Sequence, residues 1–216
     1  TRKESSAASD VYKRQILSTL AQALVLFAVT NIDHLMLLTL WFVHGHQRPG
    51  TTLRICAGQY LGFSAILAAT VILNLISGFV IPEAQLHLLG LIPLILGVKA
   101  GIGEILERRE SNDSRDAQSA ESKLEGKPVS VGAVALVTIA NGGDEIGVYL
   151  PVFALSAWWQ VAMFCAVFLV LAGALLALAW FITGRLGLAE VLERFEAVLF
   201  PSVLILLGVL ILAGWL

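Results

Sequence analysis

The stretch VSVGAVALVTIANGGDEIGVYLPVFA, residues 129–154, decides the fold. Two adjacent acids, Asp144 and Glu145, lie in the middle of this apolar run. An acid at the centre of a membrane helix costs about 3 kcal/mol, and each Leu or Ile returns about 0.5 kcal/mol. The eleven Leu, Ile, Val and Phe residues here do not offset both acids and their polar neighbours. We therefore expect this helix to face a polar bundle interior rather than lipid.

The composition of the whole chain points the same way. Hydrophobic residues make up 57% of it and charged residues 14%, whereas soluble domains carry about 25% charged residues. The mean hydropathy is +0.83, and the apolar blocks are long enough to cross a bilayer. The net charge of −2 gives no basic surface for nucleic acid. We predict an all-α, polytopic membrane protein embedded in lipid.

Six apolar blocks are predicted to be transmembrane helices of a single domain, residues 16–216. The predicted spans are residues 16–43, 55–81, 86–100, 129–154, 160–183 and 197–216. A charged segment, residues 102–128, is predicted to be a loop that joins two halves of three spans each, 16–101 and 129–216. Residues 1–15 are polar, lack a starting Met, and are predicted to be a non-native or disordered tail.

Lys and Arg are distributed unevenly among the predicted loops. Ten lie in or beside the loops after the first, third and fifth spans, and none lies in the other loops or at the C-terminus. Because cytoplasmic loops carry the excess of these residues, we predict that those three loops are cytoplasmic and that both termini are extracytoplasmic. The four basic residues within residues 1–15 argue the opposite way, but they lie in the stretch set aside above.

Three spans in each half imply that equivalent spans run in opposite directions, the inverted-repeat plan of many transporters. TNIDHL at residues 30–35 aligns with NGGDEI at 141–146, each within the first span of its half. PLILGV at 93–98 aligns with LILLGV at 204–209 in the last spans. Leu-rich helices match by chance, so the placement of the acids carries the prediction of a 3+3 inverted repeat.

The residues around the acids predict a break in the fourth span. Asn141 and Asp144 are three apart and share a face of a regular helix. Gly142 and Gly143 lie between them and lower helix stability, so the backbone is expected to unwind and turn carbonyl groups inward. Asn31 and the acid two residues later do not share a face unless that helix also loosens.

An inverted repeat would bring these polar residues together near the middle of the membrane, where carboxylate and amide oxygens suit divalent cations. The predicted ligands are Asn31, Asp33, Asn141 and Asp144, with His34, Glu145, Gln59 and Tyr60 as accessory residues and Gly142 and Gly143 as the helix break. Imidazole would shift the preference towards zinc-like ions. A hydrogen-bonded helix contact is the alternative for His34, and a purely structural role is the alternative for the acids.

With these motifs assembled, the chain resembles the bacterial cadmium-resistance transporter family, within the wider lysine-exporter superfamily. The matching motifs are VTNID at residues 29–33, GQYLGF at 58–63, LLGLIPLILGVKA at 88–100 and ANGGDEIGVYLPVF at 140–153. The resemblance implies efflux of a divalent heavy metal such as cadmium, driven by a proton gradient, across the bacterial cytoplasmic membrane. It implies neither enzymatic activity nor a resident cofactor.

The same resemblance assigns the family's functional positions to Asn31, Asp33 and the Asn141–Asp144 motif. Two positions depart from the family pattern. His34 stands where a second Asp often follows the first, and Glu145 stands where an Asn often follows the second acid. These departures bear on which ion is carried.

Other functions fit the same residues. The chain could export manganese or an amino acid, although no Arg or Lys lies deep in a predicted span to bind a substrate carboxylate. An intramembrane aspartyl protease would also place two Asp residues on different helices, but its Gly-x-Gly-Asp motif has Asn141 at the first Gly here. A scaffold role and a homodimeric assembly both remain open.

Overall fold

The computed structural model describes residues 2–45, 50–80, 82–109, 129–183 and 189–214, and all regular secondary structure within them is helical. This agrees with the all-α prediction. Most of the predicted cytoplasmic loop, residues 110–128, lies outside the described residues.

The described residues form eight α-helices and one 3-10 helix. They are α1 Arg2–Thr30, α2 Ile32–Gly45, α3 Thr51–Val80, the 3-10 helix Glu83–Gly90, α4 Leu91–Arg109, α5 Val131–Asn141, α6 Gly143–Ala154, α7 Trp158–Ile182 and α8 Ala189–Leu212. Residues 2–15 are the first part of α1, and their non-native origin stays a prediction.

Three helical segments are long and apolar enough to cross a membrane unaided: Thr51–Gly78, Gln85–Gly103 and Trp158–Ile182. Two bent pairs, α1 with α2 and α5 with α6, raise the number of candidate spans to five if each pair is one span. The sixth predicted span contains the shorter apolar helix Pro201–Leu212. The described residues thus support a multi-pass helical membrane protein with three to five candidate spans.

The helices of the two halves pack on each other. Helix α3 packs along α5 and α6, helix α7 packs along α1 and α2, and helix α4 packs along α8. The buried apolar residues form two clusters. One cluster includes α1 and α6, with Phe27 and Phe153 among its members, and the other includes α2 and α5, with Leu38 and Val134. The breaks between α1 and α2 and between α5 and α6 therefore lie where the two clusters meet.

Helices α3 and α5 approach closely because small residues line their contact. A Cβ atom added to Gly62 would lie 2.7 Å from the Thr138 Cβ and 2.9 Å from the Ala135 carbonyl oxygen. A Cβ atom added to Gly58, one turn earlier, would lie 2.6 Å from the Val134 Cβ. Either addition would push the two helices apart, so the glycines fix the position of α5 and of the break that follows it.

Gly62→Ala should destabilise the protein by about 1–3 kcal/mol, the usual cost of overpacking a well-packed interface. The matched control is Gly78→Ala in the same helix, where an added Cβ meets nothing within 4 Å. Thermal unfolding in detergent measures both variants. Equal unfolding midpoints for the two would contradict the close α3–α5 contact.

Candidate metal centre at two helix breaks

Both broken spans are interrupted in the same way. Helices α1 and α2 meet at Asn31 with a bend of 56°, and helices α5 and α6 meet at Gly142 with a bend of 60°. The Asn31 N–H donates to the carbonyl four residues earlier at 3.1 Å, and the Asn31 carbonyl accepts from the N–H four residues later at 3.2 Å. The corresponding distances at Gly142 are 3.0 and 3.3 Å. The break in the predicted fourth span lies at the Gly142–Gly143 pair, because α5 ends at Asn141 and α6 begins at Gly143.

The acids lie just after the breaks. Asp33 is in the first turn of α2, and Asp144 and Glu145 are in the first turn of α6. The first N–H groups of a helix have no partner within it, and they favour negative charge by about 0.3–1 kcal/mol. One such group, the N–H of His34, donates to Asp33 Oδ1 at 2.8 Å. At each break, carboxylates thus lie at the N-terminal end of a helix, where negative charge is favoured.

A direct contact joins the two breaks. His34 Nδ1 lies 2.9 Å from Glu145 Oε1 and 3.7 Å from Asp33 Oδ1. The His34 and Glu145 side chains are both 1% exposed, whereas the Asp33 side chain is 33% exposed. Carboxylates from both halves therefore converge on one imidazole. In the structure, the contact that His34 makes with another helix is a contact between the two halves.

Asn31 is held by a buried hydrogen-bond network. Its Nδ2 lies 3.0 Å from three acceptors, which share its two N–H groups: the Phe27 carbonyl oxygen, Thr30 Oγ1 and the Tyr149 hydroxyl. The hydroxyls of Thr30 and Tyr149 are 2.7 Å apart. Because the Phe27 carbonyl oxygen can only accept, the amide nitrogen must face it. The Asn31 oxygen is consequently the end of the amide that is left free.

Several buried oxygens near the breaks have no hydrogen-bond partner. They are Asn31 Oδ1, Asp144 Oδ1 and both carboxylate oxygens of Glu145, whose contact with His34 has ion-pair distance but not hydrogen-bond geometry. An unsatisfied buried polar group costs about 1–3 kcal/mol, and more when it is charged. A bound cation would satisfy such oxygens, so the donor set fits a hard or borderline divalent ion.

The surroundings of three other predicted residues are as follows, and their roles at the site stay predictions. Gln59 is buried, and its amide oxygen accepts from Thr138 Oγ1 at 2.7 Å. Tyr60 is 38% exposed and donates to the Leu169 carbonyl oxygen of α7 at 3.2 Å. The Asn141 side chain is exposed. Asn141 is the last residue of α5 and Asp144 lies in the first turn of α6, so a bend of 60° separates the two residues that helix spacing placed on one face.

No group of three or more His, Cys, Asp and Glu residues is arranged to hold a metal ion in residues 2–45, 50–80, 82–109, 129–183 and 189–214. A cation at the breaks would therefore depend on amide or backbone oxygens as well as carboxylates. Asn31 is one such donor.

Sequence reasoning missed two members of the site, Thr30 and Tyr149. Tyr149 is fully buried and lies four residues after Glu145, on the same face of α6. A hydroxyl one helical turn from an intramembrane acid was the available signal. Thr30 gave a weaker signal, because threonine hydroxyls in membrane helices usually donate to the backbone of their own helix. Thr30 Oγ1 does so as well, to the Leu26 carbonyl oxygen at 2.9 Å.

Comparison with known proteins gives one match. A family model described as cadmium resistance transporter matches residues 27–214. No curated protein and no solved structure matches the chain. The matched region includes both breaks and every residue of the site described above.

Tyr149→Phe should lower stability by about 1–2 kcal/mol, because a buried hydroxyl that both accepts from Asn31 and contacts Thr30 is lost. The matched control is Tyr60→Phe, which removes a partly exposed hydroxyl with one weaker bond. Thermal unfolding in detergent compares the two variants. A smaller loss for Tyr149→Phe than for Tyr60→Phe would contradict the network.

Proposed function

The chain belongs to the cadmium resistance transporter family, and we propose that it exports a divalent cation, cadmium or a similar ion, across the bacterial cytoplasmic membrane. The observation that carries the proposal is that the helix breaks of the two halves meet at the His34–Glu145 contact, with buried, unpartnered oxygens of Asn31, Asp144 and Glu145 at the breaks. Intramembrane acids are costly and commonly mark an ion pathway.

We propose that Asp33 and Asp144 carry the charge that attracts the cation and that Asn31 Oδ1 is a neutral ligand. The Asn31 oxygen is buried and free, and its amide is oriented by three acceptors. Asn141 is exposed, and its role as a second neutral ligand stays a prediction. The two bends act as hinges about which the half-helices move.

The proposed 3+3 inverted repeat is supported by a constant spacing along the chain. The breaks at Asn31 and Gly142 are 111 residues apart, and so are Asp33 and Asp144. The aligned segments PLILGV at 93–98 and LILLGV at 204–209 have the same spacing. The helix packing has the same symmetry. In the first half, α3 packs on α5 and α6 of the second half, and its equivalent α7 packs on α1 and α2 of the first half.

Helices α4 and α8 add a reciprocal contact. A Cβ atom on Gly97 would lie 2.9 Å from the Ile205 backbone nitrogen, and one on Gly208 would lie 2.7 Å from the Leu94 backbone nitrogen. Gly97 and Gly208 are 111 residues apart, as are Leu94 and Ile205. A two-fold axis between the halves produces this kind of self-complementary contact.

In the proposed mechanism, the cation enters from the cytoplasm and binds between the two breaks. Rocking of one half against the other then exposes the site to the outside, where protons displace the ion. The distribution of Lys and Arg supports cytoplasmic loops between the first and second, third and fourth, and fifth and sixth spans, with both termini outside.

Asp33→Asn and Asp144→Asn should each weaken cadmium binding and export by about tenfold or more, because even residues that only support metal ligands contribute about 10- to 100-fold. The control is Glu83→Gln, which removes an acid outside the breaks. Flux into inverted vesicles, with protein amounts matched and with or without a pH gradient, measures the effect. Unchanged cadmium export by both Asp variants would refute the proposed site, and flux indifferent to the gradient would refute proton coupling.

Asn31→Ala should raise the KM for cadmium more than Asn141→Ala does. The first variant removes a buried, oriented amide oxygen, whereas the second removes an exposed amide. Initial rates over a cadmium series give KM for both. A larger effect of Asn141→Ala would contradict this prediction. The ligand would then be Asn141, as helix spacing predicted, and not the buried Asn31.

A further inference from the structure

We infer that His34 and Glu145 are a positioning pair that sets the spacing between Asp33 and Asp144 and thereby which divalent cation the site accepts. This inference rests on the proposed function. It follows from the contact between the two side chains, from their positions in the chain and from their equivalence in the two halves.

The contact itself is short and buried. His34 Nδ1 lies 2.9 Å from Glu145 Oε1, with each side chain 1% exposed. Within the described part of the chain, this is the only ion-pair contact between one half and the other. Removing one partner would leave the polar atoms of the other buried without a counterpart. The pair is therefore a specific link rather than a surface contact.

The positions of the pair place this link directly beside the proposed ligands. His34 follows Asp33 in the first turn of α2, and Glu145 follows Asp144 in the first turn of α6. Because each partner is joined to its neighbour by one peptide unit on a helix, holding the pair together restricts how far the two Asp backbones can separate. Divalent cations differ in size and in preferred ligand distance, so a restricted separation discriminates among them.

The pair also connects equivalent positions. His34 and Glu145 are 111 residues apart, the same spacing as the two breaks and the two Asp residues. If a two-fold relation holds between the halves, the contact crosses its axis. Exchanging the two residues would then rebuild the same contact with the partners reversed, flanked by Asp33 and Asp144 as before.

The exchange gives the test. His34→Ala and Glu145→Ala should each change the ratio of KM values for cadmium, zinc and manganese ions by about tenfold, the scale on which supporting residues affect a metal site. The double variant His34→Glu with Glu145→His should return the ratio to near the wild-type value. His87→Ala, an exposed histidine in the 3-10 helix, is the matched control and should leave the ratio unchanged.

The outcomes separate positioning from folding. A purely structural role would lower the amount of inserted protein, or Vmax, while leaving the ratio of KM values unchanged, and that result would overturn the inference. A double variant no closer to wild type than the single variants would also overturn it. If the wild-type protein carries none of the three ions, the proposed function fails and the inference fails with it.

Should the double variant not insert, Glu145→Gln provides the second test. Gln keeps the length of the side chain and an oxygen near the place of Oε1, so it can still place an oxygen against the imidazole. Its KM ratio should lie closer to wild type than that of Glu145→Ala. Equal ratios for the Gln and Ala variants would overturn the inference.

Discussion

The structure depends on the need to satisfy carboxylates that lie far from water. Glu145 is 1% exposed, and burying an unpaired charge is among the costliest steps in folding. The structure places the acids in the first turns of two half-helices, where free N–H groups favour negative charge, and an imidazole from the opposite half lies against Glu145. Such free N–H groups require a broken helix, because the interior of an unbroken helix has none. The breaks and the pairing of the two halves are therefore one arrangement.

The sequence singled out the residues at the helix breaks because polar residues stand out in apolar spans, while their role as a metal site stays a prediction. The two Asp residues, Asn31 and the Gly142–Gly143 pair were all identified in this way, and the structure places the breaks at Asn31 and Gly142. Helical fold class was equally accessible from the length of the apolar blocks. The number of spans was not, since it depends on whether each bent helix pair counts as one span, and the last described helix has only a short apolar part.

What the sequence did not predict depends on the direction of each half-helix after its break. Helical spacing placed Asn141 beside Asp144, but a 60° bend at Gly142 leaves Asn141 exposed. A bend of 56° also lies just before His34, which contacts Glu145, a partner more than a hundred residues away. Tyr149 joined the site through its hydroxyl alone, although the rest of its ring belongs to an aromatic cluster with Phe153 and Phe168. Local patterns do not encode such rotations.

The contact between His34 and Glu145 also bears on how such a molecule could arise. Two identical halves assembled in opposite orientations would place the same residue on both sides of their shared axis, giving two imidazoles or two carboxylates in contact. Like charges at that distance repel each other. An acid can face a base across such an axis only when the two halves differ in sequence. The contact between His34 and Glu145 is therefore one that an antiparallel dimer of two identical halves could not form.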